Sequence, residues 1–180
     1  VLFRSIWALR NLDFKIHEGD SFGIVGNNGS GKSTLLQVIA GAVQHSEGKI
    51  EFLKSNQPLP TENHHQQLSI AAPYLELVEE FTATEQFEFQ AQFKSIQKQL
   101  STEKILELIG LKNAAHKQIR YYSSGMKQRL KLALAIFSDC PILLLDEPCS
   151  NLDKEGYALY DSLIKDYAMH KLIIVGSNDP

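Results

Sequence analysis

Cysteine is scarce in this chain. Cys140 and Cys149 are the only two in 180 residues, and they match no zinc or redox spacing. That excludes a disulfide-stapled scaffold or a thiolate metal module, and the pair fits a reducing cytoplasm. Long apolar runs are missing too. Runs such as Ile142 to Leu145 and Leu172 to Val175 are far short of the ~20 residues that cross a bilayer. Contact with a membrane therefore has to come through a partner. Neither sign of charge dominates: 18 Lys and Arg stand against 21 Asp and Glu, a formal net charge of -3. This argues against a surface that coats nucleic acid, leaving room only for a local basic patch. No secretory leader, internal repeat or low-complexity tract is visible. The chain starts at Val1 rather than Met and stops at Pro180, which reads as a piece incomplete at both ends. What is present is ordinary: 43% hydrophobic and 22% charged residues, suited to one domain with a sizeable core.

Against that background one stretch stands out. Gly26, Asn27, Asn28, Gly29, Ser30, Gly31, Lys32, Ser33 and Thr34 fit G-x-x-x-x-G-K-[ST], the phosphate-cradling P-loop. Ser21 to Val25 before it suits a buried strand. Leu35, Leu36, Val38 and Ile39 after it have helical spacing, with Gly41 as the stop. A strand, a glycine loop and a helix direct several backbone N–H groups and a positive helix end at one anion. Lys32 would reach the β- and γ-phosphates of ATP as a point charge, and the Ser33 hydroxyl would ligate Mg²⁺.

The rest of the chain reads as an α/β domain. Leu12, Phe14 and Ile16 alternate like a strand, and Gly48 to Leu53 is a second candidate. Ser55 to Gln67, with Pro58, Pro60, His64 and His65, reads as a solvated excursion; the two histidines lack further ligands at metal spacing. From about Thr84 the pattern is helical. Ser101 is a candidate N-cap, and Gly110 a stop. Phe81, Phe87, Phe89 and Phe93 form an aromatic stripe, read as core of a small helical part or as a partner-facing groove. Beyond Ser123, helices alternate with strands, which argues for a mostly parallel sheet.

Two further motifs carry chemistry. Ile142 to Leu145 is a buried-strand run ending in Asp146 and Glu147. At a strand end beside a P-loop, Asp146 suits Mg²⁺ held through water, and Glu147 suits polarising an attacking water. Tyr122 to Arg129 leads into the helical sequence Leu130 to Phe137, which Ser123 and Ser124 with Gly125 cap. Here the chain resembles the ATP-binding cassette (ABC) ATPases, whose signature reads roughly Leu-Ser-Gly-Gly-Gln before a basic helix. Ser123 and Gly125 match it, while Tyr122, Ser124 and Met126 depart.

The resemblance implies a P-loop NTPase core with a mostly parallel sheet, an N-terminal antiparallel β part and a small helical subdomain at about 84–120, all within a single domain over 1–180. It implies that Ser123, Ser124 and Gly125 meet the nucleotide of a second subunit, in a homo- or heterodimer, and that Ser150 to Asp153 form the loop after the Walker B acids, with Asp153 at the shared site. Phe3 stands where the family stacks an aromatic on adenine; a core aromatic is the other reading. The implied role is an ATPase at the cytoplasmic face of the membrane that drives a transmembrane permease, with no direct nucleic-acid contact.

The chain also departs from the family. Pro73 stands where a Gln is usual, and proline offers no side-chain amide; Glu76 or Glu79 are candidate substitutes, and Pro73 and Tyr74 fit an altered docking surface. Near the end, Asn178 replaces the usual His, so it can donate a hydrogen bond but carry no charge. Two alternatives stay open: a degenerate module that binds ATP and dimerises with little hydrolysis, and a soluble ABC ATPase that does not serve transport.

Overall fold

The structure is a computed structural model and describes residues 9–97 and 99–178. In chain order the elements are β1 (Ser21–Val25), α1 (Lys32–Ile39), β2 (Leu53–Lys54), β3 (Gln57–Pro58), β4 (Leu68–Ala71), α2 (Ala83–Ala91), α3 (Thr102–Leu108), α4 (Ser124–Ile136), β5 (Ile142–Asp146), α5 (Lys154–Tyr167) and β6 (Leu172–Ser177). The main sheet has the order β1-β6-β5-β4, and every pairing in it is parallel. The expected α/β class with a mostly parallel sheet is what the chain forms.

Parallel strands are covered on both faces, which is why β5 reads as an unbroken apolar run. Successive side chains alternate between the faces. Leu143 and Leu145 join Ile173, Leu130, Ala133 and Phe137 in one core. Leu144 joins Leu35, Leu36, Ile39, Leu68 and Ile174 of the α1 side in another.

The antiparallel part is the small ribbon of β2 and β3, turned at Ser55 and Asn56, whose φ values are 52° and 62°. Two left-handed residues are what a tight hairpin turn requires. The run Leu12 to Ile16 carries no ladder, and of the Gly48 to Leu53 candidate only Leu53 lies in a strand. Alternation alone was not enough there, because among the described residues no neighbouring strand takes up the backbone groups. The expected solvated excursion instead contains a 3-10 helix at Thr61–Gln67. His64 holds it: its ring stacks on Phe52 at 4.2 Å, and its Nε2 lies 3.1 Å from the Leu59 carbonyl.

Helix starts follow their caps. Thr82 and Glu85 form a reciprocal capping box on α2, with the Thr82 amide donating to Glu85 Oε2 at 2.7 Å. Ser101 caps α3 as expected, and Gly110 follows it at φ 69°. The aromatic stripe divides: Phe87 is buried, whereas Phe89 and Phe93 lie exposed in edge-to-face contact at 5.2 Å. At the other end of α4, the fully buried Lys171 donates to the Ile136 and Ser138 carbonyls at 2.7 and 2.5 Å, closing carbonyls that a helix end leaves open.

Candidate functional site

Parallel pairing brings four strand ends to one edge. Val25 pairs with Ser177, Asp146 with Gly176, and Ala71 with Leu145. The P-loop, Asn178, the Asp146–Glu147 pair and the Pro73 loop therefore emerge together, on the carboxyl edge where open α/β sheets hold ligands.

The P-loop is shaped by backbone. Gly29 and Gly31 have φ of 82° and 98°, a region that costs other residues about 1–2 kcal/mol. Gly31 is also the N-cap of α1 and has no side chain to satisfy the helix. The amide of Leu35 is the first in α1 to find a carbonyl, that of Gly31 at 2.9 Å. Amides of Lys32, Ser33 and Thr34 are left pointing out of the helix, as an anion needs. Asn27, Asn28 and Ser30 are exposed around this opening.

Lys32 is the centre of the site. It is only 7% exposed, and buried lysines are rare unless paired. Its Nζ donates to the Gly26 carbonyl at 2.6 Å, the Asn27 carbonyl at 3.2 Å and Asn178 Oδ1 at 2.6 Å. Glu147 Oε1 lies 3.7 Å away. P-loop lysine, Walker B glutamate and terminal asparagine thus meet from three separate parts of the chain.

Asp146 is almost fully buried, yet its Oδ1 has no hydrogen-bond partner among the described residues; the same is true of Glu147 Oε1 and Ser150 Oγ. An unsatisfied buried acceptor costs about 1–3 kcal/mol, more when charged. Hard oxygen donors from Asp146 and Ser33 fit a Mg²⁺ ion, which would relieve that deficit. Gly176 makes the approach possible. A Cβ there would stand 3.1 Å from Asp146 Oδ1 and 3.2 Å from Leu36 Cδ1. Glu147 itself sits at φ 46°, held by its amide to the Gly176 carbonyl at 2.8 Å and by the Ser150 amide to its own carbonyl at 3.0 Å. Such backbone strain concentrates at functional positions.

Pro73 offers only its carbonyl, which accepts from Lys131 at 3.2 Å. The candidate substitutes Glu76 and Glu79 line a cleft with Lys127 and Lys131, where the Lys127 partner holds the Glu79 carboxyl below its usual range. Next to Pro73, Tyr74 has its phenol held above the ordinary pKa, mostly by burial, with the Gln37 side chain of α1 opposing and the Asp146 carboxylate adding.

The signature segment forms the start of α4. Ser123 is the N-cap, accepting from the Met126 amide at 3.2 Å, and its carbonyl takes the Lys127 amide at 2.9 Å. Amides of Ser124 and Gly125 are the ones this cap leaves over. A Cβ on Gly125 would come 3.3 Å from the Asn151 carbonyl, and Gln128 Nε2 donates to the Pro148 carbonyl at 2.7 Å. Asp153 caps α5, its Oδ1 accepting from the Gly156 amide at 2.8 Å. Phe3 lies outside the described residues.

Sequence reasoning missed Gly176 and Gln128. A glycine inside the apolar run of β6 was a usable signal of close backbone approach.

The sequence profile of the ABC transporter family matches residues 9–150. An uncharacterized ABC transporter ATP-binding protein of Bacillus subtilis (strain 168), YxlF, is 32% identical over 98% of the chain and 59% of its own length. A Nod factor export ATP-binding protein I of Rhizobium johnstonii is 32% identical over 93% of the chain and 55% of its own. The chain therefore spans little more than half the length of either relative. Among solved structures, the ATP-binding cassette MJ0796, in a dimeric post-hydrolysis state bound to ADP and Pi, superposes with a TM-score of 0.79 at 26% identity, covering 97% of this chain and 81% of that one.

Proposed function

Because the chain belongs to the ABC transporter family as an ABC ATPase cassette, we propose that it binds MgATP across the carboxyl edge of its sheet, hydrolyses it within a dimer and thereby drives a transmembrane permease. One observation carries this reading. The buried Lys32 ammonium is held by loop carbonyls, Asn178 and Glu147, beside two carboxylate oxygens left without hydrogen bonds.

Each residue then has a task. Gly26 to Thr34 wrap the triphosphate, with the open amides of α1 on its oxygens. Lys32 exchanges its carbonyl partners for the β- and γ-phosphates. Ser33 and Asp146 hold Mg²⁺, which when bound neutralises charge developing on the phosphates. Glu147 accepts a hydrogen bond from the attacking water and aligns it for in-line displacement. Asn178, with its carbonyl oxygen on Lys32, keeps its amide hydrogens for the terminal phosphate.

Across the dimer, the Ser123 hydroxyl and the Ser124 and Gly125 amides close the partner copy's nucleotide, with Asp153 at the seam. The dimeric, ADP- and Pi-bound state of MJ0796 and the export role in the Rhizobium relative's name support this assembly. The short helices between α1 and α4 make up the proposed helical subdomain. No helix among the described residues is long and apolar enough to cross a membrane, in keeping with attachment at the cytoplasmic face through the permease.

The test is nucleotide binding by calorimetry together with phosphate release. Native protein binds ATP with Mg²⁺ and releases phosphate, and Lys32→Ala loses both; a Lys32→Ala variant with unchanged affinity and unchanged release rejects the reading. Asn178 favours a second one, in which the module binds and dimerises but turns over slowly. Removing one oriented polar contact of this kind costs on the order of 10²–10³ in rate. Asn178→His then raises phosphate release, and an unchanged or lower rate counts against an imidazole-limited site.

A further inference from the structure

We propose that Gln128 is a positioning residue for Glu147: by holding the Pro148 carbonyl from α4, it fixes the turn that aims the water-aligning carboxylate. The proposal rests on the MgATP reading above.

The turn after β5 is not one that its own sequence favours. A residue before proline is normally kept in the extended region, yet Glu147, which precedes Pro148, sits at φ 46°. Asn151 at the far end is left-handed as well, at φ 63°. Such a turn persists only where its surroundings hold it. The Glu147 amide donates to the Gly176 carbonyl of β6 at 2.8 Å, and the Ser150 amide to the Glu147 carbonyl at 3.0 Å. From α4, Gln128 Nε2 donates to the Pro148 carbonyl at 2.7 Å. The first two bonds join backbone to backbone and do not depend on side-chain type. The third depends on one side chain.

Gln128 lies in the second turn of α4, 5% exposed, on a helix whose other buried residues are all apolar. Burying an amide there is costly unless it is hydrogen-bonded, and Pro148, itself buried, supplies the acceptor. About one turn earlier, a Cβ on Gly125 would stand 3.3 Å from the Asn151 carbonyl, so α4 abuts both ends of the turn. Glu147 does not fix its own direction. Its Oε1 is buried without a hydrogen bond, 3.7 Å from Lys32 Nζ. Where the carboxylate stands therefore follows from the backbone of Glu147 and Pro148, and Gln128 holds that backbone. It acts through Glu147 rather than on the substrate.

The experiment measures phosphate release by the full-length protein across pH, MgATP affinity by calorimetry and thermal unfolding, with rates taken below every unfolding midpoint. It compares native protein, Gln128→Met and Gln128→Glu. Gln128→Met keeps the length and removes the donor; kcat falls on the order of tenfold, the scale of one buried hydrogen bond, while the MgATP Kd is unchanged. Gln128→Glu is equally slow while its carboxylate is ionised, because two acceptors then face each other. Once protonated, the carboxyl donates to Pro148 again, so its kcat relative to Gln128→Met climbs as pH falls through the raised range of a buried carboxyl. A native kcat in Gln128→Met, equal losses in kcat and affinity, or parallel pH profiles of the two variants overturn the link while leaving the nucleotide site standing. Native protein that binds no MgATP, or releases no phosphate, overturns the reading of the site itself.

Discussion

Two buried lysines mark opposite edges of the same sheet, and their surroundings differ in kind. Lys171, 1% exposed at the amino edge just before β6, spends its donors on two protein carbonyls. Lys32, 7% exposed at the carboxyl edge, shares its donors among two carbonyls of the P-loop, the amide oxygen of Asn178 and, more distantly, Glu147. Around Lys171 the polar groups close on one another. Around Lys32, Asp146 and Glu147 each keep an oxygen without a hydrogen bond. Burial alone therefore does not make a lysine functional. A lysine becomes a ligand-binding group when its partners can be exchanged and its neighbours still lack theirs.

The sharpest way to break this contrast is at Glu147. Glu147→Gln keeps the shape of the carboxyl edge but removes the group that aligns water. Phosphate release should fall on the order of 10²–10³-fold, with an ATP-bound dimer visible by size exclusion. Full turnover from a variant that stays monomeric with ATP contradicts the role.

Lys171→Met tests the other edge. It removes one of two donors from each of the Ile136 and Ser138 carbonyls, which keep Gln97 Nε2 and the Cys140 amide. Bonds from a charged donor are worth about 1.5–3 kcal/mol each, so the protein should unfold at lower denaturant while ATP affinity per folded molecule is unchanged. A loss of affinity without loss of stability would erase the distinction between the two lysines.

A smaller effect is expected at Gly176. Gly176→Ala forces a methyl group toward Asp146 Oδ1 and Leu36; strain of about 1–3 kcal/mol is typical of such overpacking. It should weaken MgATP binding more than Mg²⁺-free binding. Equal effects on both would mean that the glycine serves packing only.

The gentlest test is pH. Burial pushes the Lys171 pKa down to about 8 from an ordinary 10.5, against the opposing charges of Cys140 and Asp139. Between those values the unfolded chain binds more protons than the folded one, so this group's contribution to stability rises with pH. The unfolding free energy of native protein relative to Lys171→Met should therefore increase from pH 8 to pH 10.5, and a flat difference would refute the assignment.

The candidate site was legible where its chemistry is local. The glycines of the P-loop, the lysine and serine that follow, the acids after the apolar run of β5 and the cap residue Ser123 all announce themselves within a few positions. The strand alternation at Leu12 to Ile16 misled, because a strand exists only when another backbone completes its ladder. Pro73 lies at the carboxyl edge with its carbonyl on Lys131, a partner from α4 that nothing near Pro73 in the chain announces. Gly176 was hidden for the same reason: what it makes room for, Asp146 and Leu36, comes from two other elements.

The chain's residues by themselves determined the α/β order of elements, the phosphate loop and the identities of the acids, because turns, caps and apolar periodicity act over a handful of bonds. Only the tertiary structure decided which buried lysine keeps exchangeable partners, that Asn178 bonds Lys32, and that Gly176 lies against Asp146. Those pairings depend on parallel strands ending at one edge, a relation between distant segments that no local pattern encodes.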